Sequence, residues 1–450
     1  MKRDNTKIKR EYLTAREIRG NLMVFDNVHD VTYNEIVQIR CVDAMRNGKP
    51  RIKTGRVIEL LGNTAVVLVF EGVSEFTLTN TRTRFMGQPM TLALSREILG
   101  RVFDGMGRPV DGVARYPIEA VRPINGKPMN PTLRLSPRLP LLTGVSAIDG
   151  LMTFMRGQKL PIFSGDGLPH DRLAAQIAAQ FITTTGADAV VIFAAMGCKY
   201  DTATYFQRQF EESGALSQTA LFLNMADDPP AERLITPRLA LTAAEFFAFD
   251  HACHVLVILT DMTAYAESVR AISAARGEVP GRRGYPGYLY SDLATLYERA
   301  GTRKDNAGSV TLLPIVTLPD DDITHPIPDL TGFITEGQIV LGRDLHARGI
   351  YPPIAVLPSL SRLMKDGIGA GKTLPDHPAL ARQLFARYAQ VADVRALRTI
   401  VGDDGLTDAD KETLVFGDQF ESNFIHQGAS SRTLVETIDI ARQLVALKSM

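Results

Sequence analysis

The run Val255-Leu256-Val257-Ile258-Leu259 contains no polar side chain. A strand with one wet face alternates apolar and polar residues, so an unbroken apolar run demands burial on both faces. Leu160-Pro161-Ile162-Phe163, Ala189-Val190-Val191-Ile192-Phe193-Ala194, Ala220-Leu221-Phe222-Leu223 and residues 310–317 repeat the pattern. Between the first two, Leu173, Ile177, Gln180 and Phe181 recur at three- and four-residue spacing, the period of a helix. Doubly buried strands alternating with helices predict a parallel sheet covered on both sides from about residue 144 onward.

The flanks read differently. Up to about Asn80 the chain is short strands. Arg56-Val57-Ile58-Glu59-Leu60-Leu61 and Thr64-Ala65-Val66-Val67-Leu68-Val69-Phe70 surround Gly62-Asn63, a hairpin signal. Ile36-Val37-Gln38-Ile39-Arg40 and Thr77-Leu78-Thr79 add strand material. A small antiparallel barrel or sandwich is expected, because closure removes exposed edges. Leu99-Gly100-Arg101-Val102-Phe103-Asp104-Gly105 opens a Gly- and Pro-rich stretch, punctuated by Pro109, Pro117, Pro123, Pro128, Pro131, Pro137 and Pro140. It reads as an extended connector on a domain surface. After about Met364 strands give way to helices. Leu380, Leu384, Tyr388 and Val391 share one helical face, with Arg382, Arg387 and Arg395 off it. Residues 407–410 form a capping start, and Leu434, Ile438, Ala441 and Leu444 a last amphipathic helix. At about 150 residues per domain, 450 residues make about three. The expected division is 1–80 for the barrel, 81–365 for the central α/β fold with 81–143 as connector, and 366–450 for the helical part.

Composition excludes several classes. Fifty Lys+Arg balance 50 Asp+Glu, so no strongly basic nucleic-acid surface is indicated. No apolar run approaches the roughly 18–20 residues of a membrane helix. Met1-Lys2-Arg3-Asp4-Asn5-Thr6-Lys7 is charged with no apolar stretch behind it, so no signal peptide is expected. Cys41, Cys198 and Cys253 are few and far apart, which fits a reducing compartment rather than a disulfide framework. His251, Cys253 and His254 lack a matching ligand pair elsewhere, and no metal site is expected from them.

One segment carries phosphate chemistry in outline. Phe163-Ser164-Gly165-Asp166-Gly167-Leu168-Pro169-His170-Asp171-Arg172 lies between a strand and a helix, where backbone N–H groups and a helix N-terminus cradle phosphate. In a working G-x-x-x-x-G-K-[ST] loop beginning at Gly165, the second glycine falls on His170, the lysine on Asp171 and the Ser/Thr on Arg172. A carboxylate thus replaces the cation that neutralises phosphate, and a cation replaces the hydroxyl that holds Mg²⁺. The strand–loop–helix order is present and the phosphate chemistry is lost; weak nucleotide contact through Gly165, Gly167, His170, Asp171 and Arg172 is the most it is expected to make. Gly367-Ile368-Gly369-Ala370-Gly371-Lys372-Thr373 ends like such a loop, but Asp366 occupies its required first position and no strand is expected before it, so it reads as an interface loop. Asp261, following the strand at 255–259, stands where nucleotide-binding folds hold Mg²⁺ through water; capping the next turn is the competing role. Cys198 ends another strand where hydrolytic sites use Glu to orient water, and reads as a small packed residue.

These residues carry a resemblance. Thr143-Gly144-Val145-Ser146-Ala147-Ile148-Asp149, Arg156-Gly157-Gln158-Lys159-Leu160-Pro161-Ile162-Phe163-Ser164-Gly165, Pro280-Gly281-Arg282-Arg283-Gly284-Tyr285-Pro286-Gly287-Tyr288, Asp321-Asp322-Ile323-Thr324-His325-Pro326, and Leu357-Pro358-Ser359-Leu360-Ser361-Arg362-Leu363-Met364 resemble rotary ATPases. Gly167-Leu168-Pro169-His170 in place of a phosphate loop resembles the non-catalytic B subunit of V-type and A-type machines. Local departures fall at Cys198-Lys199, Leu341-Gly342-Arg343 and residues 402–410. The resemblance implies a multidomain α/β chain: an N-terminal β-barrel, a central RecA-like parallel domain with a degenerate phosphate loop, and a C-terminal helical bundle. It implies a regulatory subunit alternating with catalytic A subunits in an A3B3 ring, touching central rotor and peripheral stalk subunits. Such a ring lies on the cytoplasmic face of a membrane without inserting, and couples ATP hydrolysis or synthesis to proton or sodium transport. No cofactor would be tightly bound; ATP/ADP with Mg²⁺ would sit at the A–B interface, held mainly by A. Arg362 becomes an arginine finger reaching into the A-subunit site, with Ser359 and Ser361 helping to set its position. The competing class is a self-sufficient homohexameric ATPase of the export or RNA-translocating type.

Overall fold

The structure is a computed structural model and describes residues 11–13, 15–46, 49–113, 116–126 and 129–446. Met1 to Lys7 and Pro128 lie outside the described residues.

Seven antiparallel strands open the chain: β1 (Glu11–Tyr12), β2 (Glu17–Arg19), β3 (Leu22–Phe25), β4 (Glu35–Arg46), β5 (Lys49–Leu61), β6 (Thr64–Val69) and β7 (Thr81–Pro89). Their order is β1-β7-β4-β5-β6-β3-β2. The sheet curls as a barrel does, around Met23, Phe25, Val37, Ile39, Val57, Val67 and Phe85, while β1 and β2 remain its two edges. Gly62 takes φ +58° at the tip of the expected β5–β6 hairpin. Thr77-Leu78-Thr79 is not a strand. The Thr77 N–H donates to Asn80 Oδ1 at 2.7 Å and the Asn80 N–H to Thr77 Oγ1 at 3.2 Å. Such local side-chain bonds hold the backbone in a turn and compete with a ladder.

The connector does more than cross a surface. Val102–Asp104 becomes β8, a parallel edge strand paired with residues 221–223, because Phe103 is buried and stacks on Phe222 at 5.2 Å. The main sheet continues with β9 (Ile162–Gly165), β10 (Ala189–Cys198), β11 (Thr219–Met225), β12 (His254–Thr260), β13 (Ser309–Leu318), β14 (Gly337–Val340) and β15 (Leu360–Ser361). The order is β15-β14-β9-β13-β12-β10-β11-β8, parallel except for β15. The two-residue β15 corrects the expectation that no strand precedes the 367–373 segment.

Burial on β12 alternates between two cores. Val255, Val257 and Leu259 join Leu239 and Tyr265, from helices α3 (Thr236–Glu245) and α4 (Met262–Ala275). Leu256 and Ile258 join Ile177 and Phe181 of α1 (His170–Thr185); α2 (Tyr200–Glu212) adds Phe206 and Phe210. Both faces are dry, which is why the run has no polar residue. Beyond the sheet, α5 (His377–Val401), α6 (Asp408–Gln419) and α7 (Leu434–Ala446) pack Leu384, Val391, Phe420, Phe424 and Ile438 into a helical core. α6 starts on a capping box between Thr407 and Asp410. No helix among the described residues is long and apolar enough to cross a membrane.

Candidate functional site

The degenerate loop leaves the C-terminal end of β9 and enters α1 at His170. Gly167 takes φ +77°, which Cβ-bearing residues resist. Gly165 lies under a close contact: a Cβ there would press on Asp321 Oδ1 and the Arg343 guanidinium, both ends of flexible, half-exposed side chains. Arg343 donates to both Asp321 oxygens at 2.6 and 2.9 Å, and to the Asp166 carbonyl at 2.9 Å. This clamp ties the loop at Asp166 to the segments that follow β13 and β14. Its members are 22 and 177 residues from Arg343, so no local sequence pattern announces it.

Two of the loop's donors are turned inward. The Leu168 N–H donates to the Gly165 carbonyl at 3.3 Å and the His170 N–H to the Leu168 carbonyl at 2.8 Å, while Pro169 has none to offer. His170 Nδ1 meets Ser164 Oγ at 2.9 Å, and its Nε2 lies 3.6 Å from Asp171 Oδ1. That oxygen is buried without a hydrogen bond. Burial pushes the Asp171 carboxyl up from its ordinary range, opposed by His170 and reinforced by Asp261. Arg172 leaves the loop to stack on Tyr351, its guanidinium carbon 3.8 Å from the ring centre.

Asp261 is the N-cap of α4. Its Oδ1 accepts from the Thr263 N–H at 2.9 Å and the Thr317 N–H at 3.2 Å, and its Oδ2 accepts the Thr317 hydroxyl. Burial raises its proton affinity while these bonds lower it. The fold thus brings His170, Asp171 and Asp261 together, with Cys198 near Asp171. Burial pushes the Cys198 thiol up to about 11, which fits packing rather than thiolate chemistry. A Mg²⁺–nucleotide does not fit these side chains. A part-buried carboxylate stands in place of the lysine, Asp261 is engaged on both oxygens, and two amides are consumed within the turn.

Arg362 is elsewhere. It follows β15, whose partner β14 runs parallel to β9. Its N–H donates to the Glu336 carbonyl at 2.9 Å, at the start of β14, and the Lys159 N–H, before β9, donates to Glu336 Oε2 at 2.8 Å. The loop leaves the other ends of the same strands. Arg362 and the degenerate loop therefore lie at opposite ends of these neighbouring strands, separated by roughly 15 Å of strand. The exposed guanidinium donates to the Thr335 carbonyl at 2.6 Å and the Gly332 carbonyl at 3.3 Å. Among the described residues it has no carboxylate at ion-pair distance. Ser359 Oγ accepts from the Val340 N–H at 2.8 Å, and Ser361 Oγ accepts from Gln158 Nε2 at 3.0 Å, so both serines fasten the segment carrying Arg362.

The remaining candidates are engaged within the fold. Arg282 and Arg283 pair with Asp329 and Asp322. Arg348 pairs with Glu421. Lys372 bonds the Asp366 carbonyl. His251 meets Arg96, and His254 Nδ1 meets Ser309 Oγ at 3.0 Å, so the two histidines serve separate partners.

Comparison with known proteins agrees along nearly the whole chain. Residues 144–361 match the nucleotide-binding domain of the ATP synthase alpha/beta family, and residues 366–449 match the C-terminal domain of V and A type ATP synthase. The V-type ATP synthase beta chain of Halothermothrix orenii is 52% identical over 98% of this chain and 94% of its own length. The B subunit of the A-type ATP synthase of Aeropyrum pernix is 52% identical over 97% of this chain and 94% of its own. A solved structure described as a unique ATP synthase subunit NeqB from Nanoarcheaum equitans is 38% identical, covers 92% of this chain and 98% of that one, and superposes with a TM-score of 0.74.

Proposed function

The chain belongs to the ATP synthase alpha/beta family as a B (beta) subunit of the V/A type, and from that premise we propose that it is the non-catalytic, regulatory member of an alternating ring whose Arg362 completes the nucleotide site of a neighbouring catalytic A subunit. The observation that carries this reading is the state of Arg362: exposed, braced by two carbonyls, and unmatched by any carboxylate among the described residues. A guanidinium held this way is ready for an anion supplied from outside the chain. Planar and permanently charged, it stabilises charge spreading over the transferring phosphoryl oxygens, and in trans it contributes about 10³–10⁵-fold in rate.

The two ends of the strands support the ring. One subunit cannot bring its own loop and its own Arg362 to the same nucleotide. A head-to-tail ring solves this, since each copy shows its loop to one neighbour and its arginine to the other. Three copies alternating with three A subunits leave ATP or ADP with Mg²⁺ to be held mainly by A, which fits a loop here that lacks lysine and hydroxyl. Coupling to proton or sodium transport then runs through rotor and peripheral stalk subunits, with the chain peripheral to the membrane. A self-sufficient homohexameric ATPase needs in each copy the phosphate chemistry that Asp171 and Arg172 replace.

Two measurements test the reading. The purified chain alone is expected not to hydrolyse ATP; robust turnover free of A subunit overturns the non-catalytic assignment. An A/B ring carrying Arg362→Ala is expected to assemble and to lose about 10³-fold or more of its hydrolysis. Normal turnover removes the finger.

A further inference from the structure

Thr335 and Glu336 are consecutive, and both give their carbonyls to Arg362. The Thr335 carbonyl accepts from the guanidinium at 2.6 Å, and the Glu336 carbonyl accepts from the Arg362 N–H at 2.9 Å. Gly332, in the helix Pro326–Ile334, adds the longer bond at 3.3 Å. These acceptors aim the guanidinium only as well as the segment carrying them is held.

The Glu336 side chain supplies that hold. Its Oε2 accepts from the Lys159 N–H at 2.8 Å, and its Oε1 lies 3.0 Å from Lys159 Nζ. The Lys159 side chain is only 3% exposed, and its ammonium has a second carboxylate, Glu298, at 2.7 Å. Glu298 pairs in turn with Arg134 of the connector at 3.1 Å. Two cations balance two carboxylates, so the buried ammonium is matched entirely within the chain. Gln158 Nε2 adds a bond to the Glu336 carbonyl at 3.0 Å and another to Ser361 Oγ at 3.0 Å. Gln158 and Lys159 stand just before β9, which lies inside the sheet between β14 and β13. The support of Arg362 is thus anchored on an interior strand.

We propose that Glu336 is a positioning residue for Arg362: its carboxylate, locked on Lys159, fixes the two carbonyls that aim the guanidinium at a phosphate on the neighbouring A subunit. This rests on the reading of Arg362 as a finger. Glu336 touches no nucleotide and acts only through Arg362. An error of about 1 Å in placing a reacting group costs up to about 10²-fold in rate.

Steady-state ATP hydrolysis by A/B rings carrying Glu336→Gln, Arg362→Ala or both tests this. Gln keeps the size and one acceptor oxygen, and Lys159 keeps Glu298, so the Glu336→Gln ring is expected to assemble. Its kcat should fall about tenfold or more with KM for ATP within about twofold of the parent. Added to Arg362→Ala, the same substitution should change kcat by less than about twofold, because the group it positions is gone. A merely structural role would give the same loss in both backgrounds. A parent-like Glu336→Gln ring, an equal loss with and without Arg362, a loss confined to KM, or failure to assemble would overturn the positioning role and leave the finger standing. Normal turnover with Arg362→Ala alone would remove the finger and this proposal with it.

Discussion

Asp171 stands where a working phosphate loop carries its lysine, and its environment shows what the replacement costs. One carboxylate oxygen is buried without a donor, Asp261 is near, and burial raises its proton affinity. A carboxyl whose folded pKa is raised favours the folded state below its ordinary value of 3.8 and loses that advantage as pH rises. Asp171→Asn is therefore expected to raise the melting temperature at neutral pH by roughly 1–2 °C, with the gain vanishing in acid. A scanning-calorimetry series across pH checks this, and a lowered melting temperature at pH 7 would contradict it. The loss of lysine and hydroxyl was legible in the residue order alone. The Arg343–Asp321 clamp was not, because it joins segments that meet only in the folded sheet. Asp261 was legible as a strand-end carboxylate, but its choice between metal and cap depends on Thr317, which another strand delivers.

At the scale of elements, the doubly apolar strands were legible because burial on both faces leaves a mark on every residue. Edge elements leave less. Residues 102–104 become a strand through the contact of Phe103 with Phe222, and residues 77–79 fail to become one through Thr77 and Asn80. An added Cβ at Gly165 meets only the ends of the Asp321 and Arg343 side chains, both about half-exposed, so Gly165→Ala is expected to loosen this ion pair and cost under about 1 kcal/mol, read by denaturant unfolding. A loss of more than about 2 kcal/mol would mean that the clamp is rigid. In the helical part, Glu421 accepts from Arg348, Arg395 and Tyr388 at 2.6–2.7 Å. Burial pushes this carboxyl up, yet the hydrogen bonds from Arg395, Arg348 and Tyr388 outweigh it and hold it at about 2. Its folded value lies below its ordinary 4.5, so its stabilisation is complete above that pH and is lost as pH falls toward 2. Glu421→Gln should cost about 1–3 kcal/mol at pH 7, less than a fully buried pair because both arginines are part-exposed, and should flatten the acid limb of the stability curve.

At the scale of the whole molecule, the central sheet carries the degenerate loop at one end of its strands and Arg362 at the other. The loop at one end lacks the lysine and hydroxyl of a working phosphate loop, and Arg362 at the other has no carboxylate at ion-pair distance among the described residues. The interest of Arg362 came only through resemblance: an isolated arginine in a Ser- and Leu-rich segment carries no chemical signature, and its place at the strand ends opposite the loop depends on the pairing of β15 with β14. The central claim is that this subunit acts through Arg362 and not through its own loop. The most direct test compares single-turnover ATP hydrolysis by assembled A/B rings carrying either Arg362→Ala or Asp171→Asn in this chain. The account predicts a loss of about 10³-fold or more for Arg362→Ala and a rate within about twofold of the parent for Asp171→Asn. A ring that keeps its rate without Arg362, or loses it with Asp171→Asn, would contradict the account.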